Sequence, residues 1–72
     1  MTAEKARDIA HRIIIESGND PHPSKDYIIP GIQADNPGFY YAHSMQFARS
    51  WGPLTPAIRV KVSLITGAAT TY

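Results

Sequence analysis

Residues 57–66 constrain the fold more than any other part of the chain, because apolar and polar side chains alternate along them. The apolar positions are Ile58, Val60, Val62 and Leu64, and they alternate with Arg59, Lys61, Ser63 and, at the end, the apolar Ile65. This pattern predicts a half-buried β-strand over 57–66. A strand of this length needs a neighbour to pair with. We expect the neighbour to be a short edge strand at 27–29 of the same chain, or a strand of a partner chain.

Residues 2–17 carry the clearest helical pattern in the sequence. Apolar side chains recur there every three or four residues, at Ala3, Ala6, Ile9, Ala10, Ile13 and Ile14. Thr2 is suited to cap the start of a helix, and Gly18 can take the left-handed conformation that ends one. The pattern therefore predicts an amphipathic helix over 2–17.

Residues 37–51 fit two patterns, and their flanking residues favour a second helix. Asn36 can cap a helix, Pro37 suits its first position, and Gly52 suits the position just after its end. On this helix Trp51 is expected to lie in the core. The aromatic content of the segment also fits a strand, which is the alternative interpretation.

These elements together predict an α+β fold in a single small domain spanning 1–72. The alternative is a three-helix bundle that contains a helix-turn-helix. In that interpretation Ala48, Gly52 and Ile58 match the small residue, turn glycine and buried aliphatic residue of the motif. Arg49, Arg59 and Lys61 would then contact DNA phosphates.

Length and composition indicate that the fold needs support from outside the chain. A chain of 72 residues buries a modest core, and with no cysteine it can form no disulfide. The formal net charge of +1 supplies no strong electrostatic footprint for nucleic acid. Charged residues in 1–12 do not resemble a secretory signal, and no apolar run is long enough to span a membrane. We therefore expect a cytoplasmic protein that does not engage membranes.

The sequence favours a protein that is not an enzyme and holds no cofactor. The adjacent pair His43 and Ser44 could suggest a hydrolase, but neighbouring residues on a helix or strand point apart. The glycines form no phosphate-binding motif. Asp20, His22 and Asp26 lie close in sequence and suggest a small metal- or ligand-binding protein as an alternative, but nothing in their spacing makes them converge, so we predict no metal site.

The favoured function is a protein–protein interaction module, either a small accessory subunit or an inhibitor that docks on a larger assembly. Its C-terminal strand would add to a partner's sheet, and aromatic side chains would anchor the contact. The partner would be another protein chain, in a homo-oligomer or in a larger complex, and nucleic acid is the disfavoured partner. The residues predicted to contact the partner are Tyr40, Tyr41, Arg59, Lys61, Ser63 and Tyr72.

Overall fold

The protein is an α+β fold, and its described residues form one α-helix and a four-stranded antiparallel sheet. A computed structural model describes residues 1–33, 35–45 and 57–72. The helix α1 spans Ala3–Glu16, and a single 3-10 turn follows at Pro23–Lys25. The strands, in chain order and in sheet order, are β1 (Tyr27–Ile29), β2 (Phe39–His43), β3 (Arg59–Ser63) and β4 (Ala69–Thr71). Among the described residues, no helix has the length and apolar character needed to cross a bilayer.

The predicted N-terminal helix is confirmed, together with the residues that end it. The Thr2 hydroxyl accepts a hydrogen bond of 3.2 Å from the Lys5 amide, as a capping side chain does. At the other end Gly18 has φ +85°, and the Gly18 and Asn19 amides donate to the carbonyls of Ile15 and Ile14. This is the Schellman arrangement, which satisfies carbonyl groups that the helix itself leaves free.

The core lies between α1 and the two central strands. Ala6, Ala10 and Ile14 present the buried side of α1, and their small or branched side chains allow close approach to the sheet. The sheet contributes every second residue of β2 and β3, as alternation requires. The core residues on the sheet side are Tyr40, Ala42, Val60, Val62 and Leu64.

The strand predicted over 57–66 is confirmed in its centre, but its pairing differs from expectation. β3 pairs with β2 on one side and with β4 on the other, while the short strand β1 pairs with β2. Both edges of β3 are therefore occupied within its own chain, and it cannot add to a partner's sheet. The strand stops at Ser63, because the Ser63 hydroxyl accepts the Ile65 and Thr66 amides and closes a turn.

The helix predicted over 37–51 is wrong for Phe39–His43, which forms β2. Asn36 does use its side-chain oxygen as a cap would, accepting a 2.8 Å hydrogen bond from the Gly38 amide two residues on, but a strand follows instead of a helix. Gly38 then turns the chain at φ +91° into the sheet. Asn-Pro-Gly thus forms a turn that leads into a strand. Asx turns and helix caps use the same local hydrogen bonds, so the sequence pattern fits both. Residues 46–51, including Trp51, lie outside the described residues.

The alternative of a three-helix bundle with a helix-turn-helix is also wrong. Arg59 and Lys61, which that interpretation puts on a recognition helix, lie on β3. The β-branched valines of this segment pack well on a pleated surface and poorly on a recognition helix. Ala48, Arg49 and Gly52 of the motif lie outside the described residues.

Candidate interaction surface

The side of the sheet that faces away from α1 is an exposed surface, called here the outer face. Since α1 packs against one side of β2 and β3, the alternate residues of each strand point away from it, and no other described helix or strand packs over them. The register places them in rows across the sheet, for example Tyr27 beside Tyr41, and Tyr41 beside Lys61. The outer face consists of Tyr27, Ile29, Phe39, Tyr41, His43, Arg59, Lys61, Ser63, Thr70 and Tyr72.

Aromatic rings form a connected cluster at the centre of the outer face. Tyr27 and Tyr41 stack with ring centroids 4.9 Å apart and planes 8° from parallel. Tyr72 meets Tyr41 edge-on at 6.2 Å, and Phe39 lies 6.5 Å from Tyr41. Such contacts favour a defined ring arrangement over freely moving side chains. Burial raises the pKa of the Tyr72 phenol, the neighbouring Tyr27 adds to this, and the Arg59 guanidinium opposes it.

Two cations lie on rings of this cluster. The Arg59 guanidinium carbon is 4.7 Å from the Tyr72 ring centroid, and Lys61 Nζ is 5.0 Å from that of Phe39. Both distances are within the range of cation–π attraction. None of the ten residues of the outer face is an Asp or Glu. The outer face therefore joins exposed aromatic area to positive charge that is held in place.

Five of the six residues predicted to contact a partner lie together on the outer face. They are Tyr41, Arg59, Lys61, Ser63 and Tyr72. The sixth, Tyr40, does not belong to this surface, because it lies on the opposite side of β2 and is only 8% exposed. The correction follows from strand geometry, since neighbouring residues on a strand point to opposite faces.

Sequence reasoning missed Tyr27, Ile29 and Phe39, which are 44%, 49% and 36% exposed on the outer face. The strand interpretation of Phe39–His43 would have found Phe39, because the alternation puts it with Tyr41. Tyr27 and Ile29 depend on the register of β1 against β2, which pairs them with Tyr41 and Phe39. Their sequence contains no signal of this register.

An apolar cleft adjoins the outer face where β1 runs into the following loop. Ile29, Pro30, Ile32 and Phe39 line it, together with the polar side chains of Gln33 and Asn36. The loop is closed by hydrogen bonds between Gly31 and Asn36, and between Asn36 and Gln33. The side chain of Ile32 is fully exposed at this loop. An exposed isoleucine beside an apolar cleft extends the apolar area of the outer face.

The residues considered for a metal site do not converge. Asp26 turns inward, where Oδ2 lies 2.6 Å from His11 Nε2 and accepts a 2.7 Å hydrogen bond from the Tyr40 hydroxyl. His22 Nδ1 instead lies 2.8 Å from the Ser24 hydroxyl. Within the described ranges, no group of three or more His, Asp or Glu side chains could hold a metal ion. The Asp26 carboxylate therefore joins α1, β1 and β2 and acts structurally.

His43 and Ser44 have separate environments. The His43 ring lies on the outer face, 5.9 Å from the Tyr27 ring, whereas Ser44 is buried. The Ser44 hydroxyl oxygen accepts the Ile58 amide at 2.8 Å, and the Ser44 amide donates to the Ile58 carbonyl. Ser44 thus ties the end of β2 to the residue before β3, a structural use of the hydroxyl.

Comparison with known proteins adds nothing to this geometry, since no family model, curated protein or solved structure matches the chain.

Proposed function

We propose that the protein is a non-enzymatic interaction module that docks on a larger protein assembly through its outer face. The observation that carries the proposal is the cluster of Tyr27, Phe39, Tyr41 and Tyr72 on the side of the sheet away from α1, where Tyr41 is half-buried and the other three rings are exposed. Tyrosine and other aromatic side chains bring large contact area with few rotatable bonds, and they are enriched at the centres of protein interfaces.

The aliphatic residues around the cluster support a protein partner. Ile29 is half exposed on β1, and Ile32 is fully exposed in the next loop. Neither side chain offers a hydrogen bond or a stacking surface to a base or a phosphate. Both can bury apolar area against another protein, where each would be removed from water.

The ring contacts disfavour single-stranded nucleic acid as the partner. Base stacking needs ring faces that are free. One face of Tyr41 is covered by Tyr27, one face of Phe39 by Lys61, and one face of Tyr72 by Arg59. Each of these rings therefore offers one face fewer to a base than a free ring would.

The proposed contact uses side chains on the outer face and not the backbone of β3. Strand addition through 57–66 was the expected mode, but β3 has a neighbour on each side. An accessory subunit or an inhibitor could both use a face of this kind. A cytoplasmic location stays a prediction.

The experiment compares partner capture by matched variants of the whole chain. The face variant is Phe39→Ala with Tyr72→Ala, and the control is Ile15→Ala with Ile65→Ala, which removes exposed apolar side chains elsewhere. Tagged wild type and both variants are incubated with extract of the producing cells, and bound proteins are quantified by mass spectrometry. Circular dichroism confirms that each variant is folded.

We expect at least one protein to be captured by wild type and control at equal levels, and about tenfold less by the face variant. Equal capture by all three chains would contradict docking through the outer face.

A further inference from the structure

We infer that the partner docked on the outer face presents an acidic surface, with carboxylates placed around an apolar centre. The inference rests on the proposed function and identifies the chemistry of the partner. It follows from the positive charges of the outer face, from the ring contacts of Arg59 and Lys61, and from the charges on the surfaces of a second copy of the chain.

The side-chain charges of the outer face have one sign. Arg59 and Lys61 lie on the same strand, two residues apart and on the same side. The other eight residues of the face are aromatic, aliphatic, hydroxyl-bearing or His43, with no carboxylate side chain among them. A partner that covers this face must supply the counter-charges, because unpaired charges lose their hydration when they are covered.

The ring contacts hold both cations at defined positions before any partner binds. Arg59 lies over Tyr72 and Lys61 over Phe39, and both of these rings contact Tyr41. A carboxylate can approach each cation from the side away from the ring. Little side-chain freedom is then lost on binding, which favours ion pairing at these two points.

A second copy of the chain does not meet this requirement. Two outer faces packed against each other would bring two sets of Arg59 and Lys61 together, and like charges repel. The exposed side of α1 is not acidic either, because its acids are balanced by bases. The acids are Glu4, Asp8 and Glu16, and the bases are Lys5, Arg7 and Arg12. The occupant that fits is therefore a different protein.

The test uses a phage-displayed library of random peptides, selected on the immobilised full chain. The charge variant is Arg59→Glu with Lys61→Glu. Its matched control is Lys5→Glu with Arg12→Glu, which changes the net charge equally on the helix side, where both residues are exposed. Selected peptides are synthesised, and their affinities for the three chains are measured by fluorescence anisotropy at low and high salt.

We expect the peptides selected on wild type to combine Asp or Glu with apolar residues. The charge variant should bind them at least about tenfold more weakly, the control should bind them as wild type does, and raised salt should weaken binding. Peptides with no acidic enrichment, or a charge variant of unchanged affinity, would overturn the acidic partner.

Failure of the proposed function itself gives a different result. The variant Phe39→Ala with Tyr72→Ala should lose the peptides if they bind the outer face. Peptides that lack acids but depend on Phe39 and Tyr72 would overturn only the acidic chemistry. Docking at the outer face would be overturned if the affinity of the peptides did not depend on Phe39 and Tyr72, or if no peptide were selected at all. Displacement of the peptides by a labelled single strand of oligothymidine would overturn both the protein partner and its acidic chemistry, in favour of nucleic acid.

Discussion

The Tyr40 hydroxyl donates a 2.7 Å hydrogen bond to the Asp26 oxygen Oδ2, which also lies 2.6 Å from His11 Nε2. One carboxylate oxygen thus connects the middle of α1, the residue before β1 and the second residue of β2. The Asp26 side chain is only 7% exposed, so these bonds are poorly replaced by water. The outer face depends on this network indirectly, because Tyr27 follows Asp26 and Tyr41 follows Tyr40.

Tyr40→Phe should destabilise the protein by about 1.5–3 kcal/mol, because it removes a hydrogen bond to a buried charged group. The matched control is Tyr41→Phe, which deletes the same atom on the outer face and should change the free energy of unfolding by less than about 0.5 kcal/mol. Urea unfolding followed by circular dichroism measures both. Equal effects of the two variants would contradict a structural role for the network.

Stability should fall at alkaline pH through Tyr40. Burial, followed by the hydrogen bond and charge of Asp26, raises the pKa of Tyr40 from 10.0 to about 12. The folded protein therefore favours the neutral phenol. The stabilisation is complete below about pH 10 and is lost as the pH rises through about 12. Wild type should lose stability over this range more steeply than Tyr40→Phe, as urea unfolding at a series of pH values will show. Parallel loss in both chains would assign the effect to other groups.

Gly38→Ala should be much more damaging than Gly18→Ala, although both glycines have positive φ. A Cβ on Gly38 would overlap the Ile29 carbonyl oxygen, whereas a Cβ on Gly18 meets nothing within 4 Å. We expect about 1 kcal/mol of destabilisation at Gly18 from backbone conformation alone. Gly38→Ala should cost at least about 2 kcal/mol more, because β1 and β2 must move apart. Thermal unfolding of the two variants measures the difference in stability. Similar losses of stability would contradict the close contact between Gly38 and the Ile29 carbonyl.

Ile32→Ser should reduce binding to the outer face and leave the stability unchanged. Its side chain is fully exposed, so the free energy of unfolding should change by less than about 0.5 kcal/mol. Its position at the apolar cleft beside Phe39 should make it a contact for the partner. The affinity of peptides selected on wild type should drop at least about fivefold. Ile65→Ser is the control, since it removes an exposed isoleucine in the turn after β3. Equal affinities for the two variants would limit the interface to the sheet.

The helix and the central strand could be predicted because their determinants are close in sequence. Thr2 and Gly18 mark the ends of α1 through bonds to residues within one turn. The alternation around Val60 and Val62 matches the burial of those two residues in the core. The short strand 27–29 was also correctly expected, since Pro30 and Gly31 limit its length.

Phe39–His43 could not be assigned from local signals. Asn36, Pro37 and Gly38 satisfy the rules for a helix start and for a tight turn equally well. The decision came from pairing, because this segment lies between β1 and β3 and its backbone bonds are satisfied on both sides. Helix formation there would leave β3 and β1 without their shared neighbour.

The sequence by itself determined the secondary structure of α1 and the strand character of 59–63. These properties depend on helical and strand periods and on residues a few positions apart. Only the tertiary structure decided that β3 is a central strand, that Tyr40 faces α1, and that Tyr27, Phe39 and Tyr72 gather around Tyr41. Those outcomes depend on strand order and register between distant segments. The register is specified because each strand must turn its apolar side chains toward the buried side of α1.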